Sequence, residues 1–274
     1  MPIKPVPHSQ ENALYYLLCH DKQGNERSDD PDAADGTLSH DVIRLAESGQ
    51  YTDIFFISHG WKGDIPAAID QCNRWTGAMV ACKQDIARLQ ARPQGFKPLI
   101  IGLHWPSLPF GKEEHDIEAD PSLQDFSLSP RTGKEDLYRL AEEGLADTEL
   151  GRQAVRTLLD SALTASNPPA LDKLTEEAIQ YLLSHELQDQ AVNSEISTVD
   201  AQAVYQAAKA ESEDSLISFG IGGALGPLLS LVSQFSLWKM KARARNFGET
   251  GGAHLLRKLM AVTNEQVQFH LMGH

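Results

Sequence analysis

The chain has 274 residues, of which 41% are hydrophobic and 23% are charged, so it is long enough and apolar enough to bury a core. This composition argues against a disordered chain. The formal net charge of −14 would repel a phosphate backbone, and the only basic cluster, at 239–245, is short, so we expect no nucleic-acid partner.

The cysteines and the N-terminal segment bear on the cellular compartment. Cys19, Cys72 and Cys82 lack the spacing of metal ligands, and an odd number of cysteines cannot all pair with one another. Free thiols suit a reducing compartment. Residues 1–11 contain three prolines and lack the apolar run of a secretory signal. We therefore expect a cytoplasmic protein, and we expect neither a metal nor a cofactor.

The first 105 residues alternate strand and helix patterns. Residues 13–19 are apolar and predict a first strand, and residues 37–48 show a weak helical pattern. Residues 53–58 and 98–105 are apolar without alternation, as in strands covered on both faces, and 67–89 between them predicts a helix. A strand, a helix and a strand at this spacing form a βαβ unit with a right-handed crossover, so we expect a parallel sheet.

Residues 106–237 interrupt this pattern. They begin with a loop rich in serine, proline and acidic residues. Helices are predicted over 134–165, 169–189 and 198–213, the second with Asn167 as its N-cap and prolines in its first turn. We interpret 106–237 as a mainly helical cap or lid inserted into the sheet domain.

The chain returns to the sheet domain at 238–274. A helix is predicted over 240–263 and a third buried strand over 267–272, followed by Gly273 and His274. The expected fold class is therefore α/β, with a parallel sheet, flanking helices and a large helical insertion. We expect the sheet to be incomplete at its C-terminal side.

Three strands and the residues that follow them resemble the third, fourth and fifth strands of the α/β-hydrolase family. Their sequences are DIFFISHGW, PLIIGLHWPS and VQFHLMGH. The resemblance covers the parts 1–105 and 238–274, which implies an α/β-hydrolase-type sheet. The segment 238–251 is also similar to the helix that precedes the nucleophile turn in a group of bacterial hydrolases of this fold.

In that family the fifth strand ends in a strained turn, G-x-S-x-G, whose serine is the nucleophile. Gly273 and His274 match the first two positions, so the serine is expected directly after His274 and is absent from this sequence. The family's catalytic acid and histidine follow the nucleophile, so none of the ten histidines is assigned as the catalytic base. The resemblance implies the N-terminal part of an esterase- or lipase-like serine hydrolase that cleaves a carboxylic ester or a related acyl bond.

The same resemblance implies an oxyanion loop at His59-Gly60-Trp61. Two backbone N–H groups must face the oxygen that becomes negative during attack on an ester. The N–H of Trp61 would be one donor, and Gly60 would let the loop approach the substrate closely. The alternative is that His-Gly only turns the chain and that Trp61 packs against the next helix. His104 and Trp105 end the fourth strand at the same edge of the sheet, where they would line the substrate cleft or, equally, pack in the core.

Three other patterns are weaker candidates. His185-Glu186 begins like the zinc motif H-E-x-x-H, but Asp189 takes the last position, so we expect a helical surface. Ser218 matches the second half of a nucleophile turn whose first glycine is missing. The acidic cluster at 113–120 is expected to be a solvated loop and not a cation site.

Residues 215–238 form a stretch of 24 residues without a charge. A continuous helix of this length would cross a bilayer, but several glycines and Pro227 would interrupt it. We interpret the segment as a mobile apolar lid over an acyl-binding groove, or as a segment that docks on a membrane surface. Gly222 and Gly226 have the spacing of helix pairs in membranes, which leaves a membrane span as an alternative.

These patterns support three hypotheses of different classes. The first is a serine hydrolase that acts on a small ester or lipid-like substrate. The second is a membrane-associated protein whose functional part is the insertion with 215–238. The third is a non-catalytic fragment or interaction module that pairs with a complementary chain supplying the rest of the sheet. Because the nucleophile, the acid and the catalytic histidine are absent, catalysis is expected of the intact protein and not of this chain alone.

Overall fold

In the computed structural model of the chain, two compact units are present, and each is described by itself. One unit comprises Met1–Ser107 and Arg243–His274, and the other comprises Leu108–Ala242. The sequence analysis expected the insertion at 106–237. The structure describes residues 3–9, 13–30, 32–33, 36–60, 64–107, 134–164, 168–187, 200–214 and 226–273.

The first unit contains a mixed sheet, which has five strands in the described part of the chain. The strands are Ile3–Pro5 (β1), Leu14–Cys19 (β2), Asp53–Ser58 (β3), Pro98–His104 (β4) and Gln268–Met272 (β5). Their order is β1-β2-β4-β3-β5. β1 is antiparallel to β2, and all the other neighbours are parallel. The predicted α/β class is confirmed, whereas the antiparallel edge strand β1 was not expected.

Helices flank this sheet and build the second unit. They are Leu38–Glu47 (α1), Ile65–Ala81 (α2), Lys83–Gln90 (α3), Lys134–Leu145 (α4), Glu149–Thr164 (α5), Lys173–Tyr181 (α6), Ala201–Asp214 (α7), Pro227–Phe247 (α8) and Ala253–Val262 (α9). A π-helical turn, Leu182–Glu186, continues α6, and a second one, Gly248–Gly252, joins α8 to α9.

Both faces of β3 and β4 are covered, which explains their continuous apolar sequences. On one face Ile54, Phe56 and Ile101 pack with side chains of α1 and α9. On the other face Ile57 and Ile100 pack with side chains of α2. The sheet therefore forms the middle layer of the first unit, and the loops at its carboxyl edge are anchored on a packed core.

β5 differs from the expected third buried strand. None of its residues is buried: Gln268 and Leu271 are exposed, Leu271 to 71%, and the other three are partly buried. β5 pairs only with β3 within the described residues, so one of its edges has no neighbouring strand there.

Several helix boundaries differ from the predicted ones because of local or long-range hydrogen bonds. The helix expected from Asn167 begins at Lys173, because the side chain of Asp172 accepts from the N–H groups of Leu174 and Thr175. The helix expected over 67–89 is interrupted at Cys82.

Two further predicted helices have different limits. The helix expected over 134–165 is two helices, α4 and α5, and the turn between them is bound by the side chain of Glu186. The helix expected over 240–263 is longer and consists of α8, the second π-helical turn and α9.

The core of the second unit explains part of the uncharged segment. Leu228, Leu231, Val232 and Phe235 of α8 are buried with side chains from α4 to α7. Residues 215–225 lie outside the described residues. None of the helices in the described part of the chain combines the length and the hydropathy that a membrane crossing requires.

Candidate active site

The loop that follows β3 lies at the centre of the carboxyl edge of the sheet. β3 pairs with β4 on one side and with β5 on the other. Ser58 is paired with Leu103 and Ile57 with Met272. The residues that follow, including His59 and Gly273, therefore leave adjacent strands at the same edge. In open α/β sheets this edge is where ligands bind.

The hydrogen bonds of the His59 imidazole assign its tautomer. Nδ1 lies 2.8 Å from the carbonyl oxygen of Gly60. A carbonyl oxygen only accepts, so Nδ1 carries the hydrogen and donates it. Nε2 then has a lone pair, which accepts from the backbone N–H of Trp105 at 3.3 Å. Both ring nitrogens of His59 are thus satisfied by backbone groups when the ring is neutral.

His104 extends this network from the neighbouring strand. Its Nδ1 lies 2.8 Å from Nε2 of His59, and the two rings are stacked with their centroids 4.9 Å apart. Because Nε2 of His59 is the acceptor, Nδ1 of His104 is the donor. Both imidazoles are buried. An added proton on Nε2 of His59 would face the N–H of Trp105 and break the network.

Side chains that follow β4 hold both carbonyl groups of the His59-Gly60 pair. The indole N–H of Trp105 donates to the carbonyl oxygen of His59 at 3.2 Å, and the indole stacks on the His59 ring. The hydroxyl of Ser107 donates to the carbonyl oxygen of Gly60 at 3.0 Å. Ser107 is completely buried. The turn after β3 is therefore held by hydrogen bonds to its backbone and not only by apolar packing.

His20 connects the end of β2 to the same edge. Its backbone N–H and its Nδ1–H both donate to the carbonyl oxygen of His104, at 2.9 and 3.2 Å. Its ring packs edge-on against Phe247. Burial lowers the pKa of His20 to about 4, and hydrogen bonds to the carbonyl groups of His104 and Leu18 offset this effect only in part. His20 is therefore neutral at neutral pH.

The structure brings together four of the residues that the sequence analysis named, namely His59, Gly60, His104 and Trp105. Trp61 and His274 lie outside the described residues, so the oxyanion donor and the start of the nucleophile turn stay predictions. His104 and Trp105 are buried and contact His59. Their contact with a substrate also stays a prediction.

The sequence patterns did not indicate Ser107 and His20 as parts of this site. Ser107 follows β4 by three residues, and its role depends on a backbone that turns back towards Gly60. The only sequence signal was that both residues follow apolar strands of a parallel sheet, whose carboxyl ends share one edge.

The weaker candidates have different outcomes. Glu186 is buried, so the expected helical surface is wrong for this residue, although His185 is exposed. The carboxylate of Glu186 accepts hydrogen bonds from the backbone N–H groups of Asp147 and Thr148. Ser218 and the cluster at 113–120 lie outside the described residues. Within the described part of the chain, no group of three or more His, Cys, Asp and Glu side chains could hold a metal ion.

Comparisons of the chain with models of protein families, with curated proteins and with solved structures find no match.

Proposed function

We propose that the chain is the N-terminal part of a serine hydrolase, esterase- or lipase-like, that cleaves a carboxylic ester or a related acyl bond. The observation that carries the proposal is the carbonyl group of Gly60, which two donors hold in place. They are Nδ1–H of His59 at 2.8 Å and the hydroxyl of Ser107 at 3.0 Å. This carbonyl lies in the turn at the centre of the carboxyl edge, next to the end of β5.

A fixed carbonyl group supports an oxyanion role for the peptide group to which it belongs. In a trans peptide the N–H points opposite to the C=O, because the peptide group is planar. The N–H of the peptide group that begins with the Gly60 carbonyl belongs to Trp61, and the proposal makes it the oxyanion donor. Such a donor is effective when it is oriented before charge develops on the substrate. His59 and Ser107 act in the proposal as positioning residues.

The proposed nucleophile follows His274 directly. The pairing of Ile57 with Met272 supports this position, because the chain leaves β5 beside the turn that contains Gly60.

A second candidate function is supported by the exposure of β5. Leu271 is exposed on a strand that has no neighbour on one side within the described residues. Such an edge is a site for strand addition. The remaining strands of a hydrolase sheet would cover it, and so would a complementary chain that pairs with a non-catalytic half. The two candidates differ in whether the covering strands belong to the same polypeptide.

The intact mass of the protein from its native source separates these candidates. The hydrolase proposal predicts a mass above the 30.1 kDa of this chain and a peptide in which Ser-x-Gly follows His274. A mass of 30.1 kDa together with a co-purifying partner chain would favour the paired half. A mass of 30.1 kDa without a partner would overturn the hydrolase proposal.

The positioning role is tested by kinetics of the intact protein with p-nitrophenyl esters. We expect Ser107→Ala to lower kcat by about tenfold with little change in KM, because one of two bonds to the Gly60 carbonyl is lost; removal of an oxyanion donor itself costs roughly 100-fold or more. The matched control is Ser236→Ala, which removes a buried serine hydroxyl from the helical unit and should leave kcat unchanged. Equal kcat values for both variants would contradict the positioning role.

A further inference from the structure

A groove of about 330 Å³ opens beside the loop that follows β2, in the first unit. Its walls are this loop, the first turns of α1, and the second π-helical turn with the start of α9. Its volume lies at the lower end of the range that is typical of small-molecule sites. His20 lines this groove and is hydrogen-bonded to His104 of the candidate active site, whereas His59, His104 and Ser107 do not line it. A ligand there would serve a purpose outside the proposed hydrolase function.

One wall of the groove is cationic, although the chain carries a net charge of −14. Arg257 and Lys258 line it and are exposed, and neither has an ion pair within the described residues. Nε of Arg257 donates to the carbonyl oxygen of Ala253 in its own helix, which leaves the terminal N–H groups for a ligand. The acidic residue of the groove, Glu26, accepts from the backbone N–H of Ser39 at 2.8 Å and so is bound to the start of α1.

The floor of the groove contains the imidazole of His20, which offers a hydrogen-bond acceptor. His20 is 2% exposed, and its Nδ1–H donates to the carbonyl oxygen of His104. Since the ring is neutral at neutral pH, Nε2 carries a lone pair. No hydrogen bond to Nε2 is found in the part of the chain that the structure describes. Because His20 lines the groove, a donor group on a ligand could hydrogen-bond to this lone pair.

Gly251 lies close to this acceptor. A Cβ atom at this position would lie 2.9 Å from Nε2 of His20 and would overlap the carbonyl oxygen of Gly24. Only a glycine therefore lets the π-helical turn approach the loop after β2 and the imidazole this closely.

We propose that this groove binds a small phosphomonoester that carries a hydroxyl group. Its phosphate contacts Arg257 and Lys258, and its hydroxyl donates to Nε2 of His20. A phosphomonoester is mostly a dianion at neutral pH, which matches two cationic side chains, and Arg binds phosphate oxygens in a bidentate manner. The phosphate dianion has no hydrogen to donate. The hydroxyl group of the organic part is therefore the donor to Nε2 of His20.

The ligand pair glycerol 3-phosphate and propyl phosphate tests the role of His20 by titration calorimetry on the unmodified chain at neutral pH. The two esters have the same charge and the same carbon count, but only the first carries hydroxyl groups. We expect saturable binding of glycerol 3-phosphate, at least about tenfold tighter than that of propyl phosphate. Equal affinities, or no saturable binding of either ester, would overturn the proposal.

A pair of double variants tests the cationic wall. In Arg257→Gln with Lys258→Gln we expect the affinity for glycerol 3-phosphate to fall at least about tenfold. The control is Lys83→Gln with Arg88→Gln, which removes the same charge from exposed positions of α3 and should change the affinity less than about twofold. If the affinity fell equally in both double variants, the loss would be explained by net charge alone, and the proposed site would be contradicted.

Discussion

The two ends of β3 are held by polar clusters of opposite character. At its amino end, the buried carboxylate of Asp53 accepts from Arg92 at 2.5 Å, from Nε2 of His270 at 2.9 Å and from the hydroxyl of Thr52 at 2.7 Å. At its carboxyl end, His59 takes part in a network of imidazole, hydroxyl and carbonyl groups that is satisfied when its rings are neutral.

The two clusters have different roles. A buried charge is tolerated only when it is paired, so the Asp53 cluster binds β3 firmly to β5 and to the segment before β4. The hydrogen bonds of His59 and Ser107 orient the carbonyl group of Gly60 beside the proposed substrate site. Stability is expected to depend mainly on charged clusters, whereas the neutral cluster mainly affects activity.

The largest effect is expected at a third buried cluster, in the helical unit. The carboxylate of Glu186 accepts from Thr148 and Asp147 and lies 3.5 Å from Nζ of Lys239. We expect Glu186→Ala to lower the free energy of unfolding by about 3–5 kcal/mol in urea titrations, because the N–H groups of Asp147 and Thr148 lose their acceptor. Lys239 keeps the closer carboxylate of Asp147, at 2.6 Å. Glu149→Ala, at an exposed ion pair, is the control and should cost about 1 kcal/mol or less. Similar costs for both variants would remove the distinction between charged clusters and surface pairs.

The second prediction concerns the pH dependence of the Asp53 cluster. Burial raises the pKa of Asp53, but hydrogen bonds from Thr52, His270 and Arg92 outweigh burial and hold the pKa below its ordinary value. The resulting stability is present above the ordinary carboxyl pKa and is lost as the pH falls through the lowered value. Asp53→Asn should lower the free energy of unfolding by about 3 kcal/mol at neutral pH and lack this acid-dependent loss.

The control for this pH profile is Asp85→Asn, which changes an exposed partner of Arg88. Its unfolding free energy should follow the profile of the unmodified protein from neutral to acid pH. If the Asp53→Asn profile ran parallel to that profile as well, the carboxylate would not be the group that titrates.

A smaller effect on stability is expected at the carboxyl end. Ser107→Ala removes a neutral hydrogen bond, so the free energy of unfolding should fall by about 1 kcal/mol. The Nδ1–H tautomer of His59 should persist in nitrogen NMR spectra, because Gly60 and Trp105 still fix it. If Ser107→Ala lowered the free energy of unfolding as much as Asp53→Asn does, the carboxyl end of β3 would contribute to stability as much as the amino end.

The smallest effect is expected at Ser236. Its hydroxyl is buried in the helical unit and has no hydrogen-bond partner among the described residues. Ser236→Ala should leave the melting temperature unchanged or raise it by the equivalent of about 1 kcal/mol, since an unsatisfied polar group is removed. A clear loss of stability would reveal a partner for this hydroxyl.

Local sequence patterns predicted the strands whose apolar runs are continuous. The apolar runs at 53–58 and 98–105 indicated β3 and β4, because strands covered on both faces need no alternation. β1 was missed, since three residues with a proline carry no periodic signal. The exposure of Leu271 was missed too, because burial depends on what packs against the face of the strand, which the strand sequence does not report.

The candidate site was predictable only where strands end. His59, Gly60 and His104 follow or close apolar runs, and parallel strands bring such ends to one edge. The hydroxyl of Ser107 reaches the Gly60 carbonyl over 47 positions of sequence, and no local pattern reports such a contact. The same holds for Glu186, whose partners lie 38 and 39 positions away.

The most direct test of the central claim is fluorophosphonate labelling of the intact protein, with the labelled peptide identified by mass spectrometry. The proposal predicts one labelled serine, directly after Gly273-His274, and slower labelling in the Ser107→Ala variant. A label on any other residue, or no label in a protein that extends beyond His274, would contradict the assignment of this edge of the sheet as a hydrolase active site.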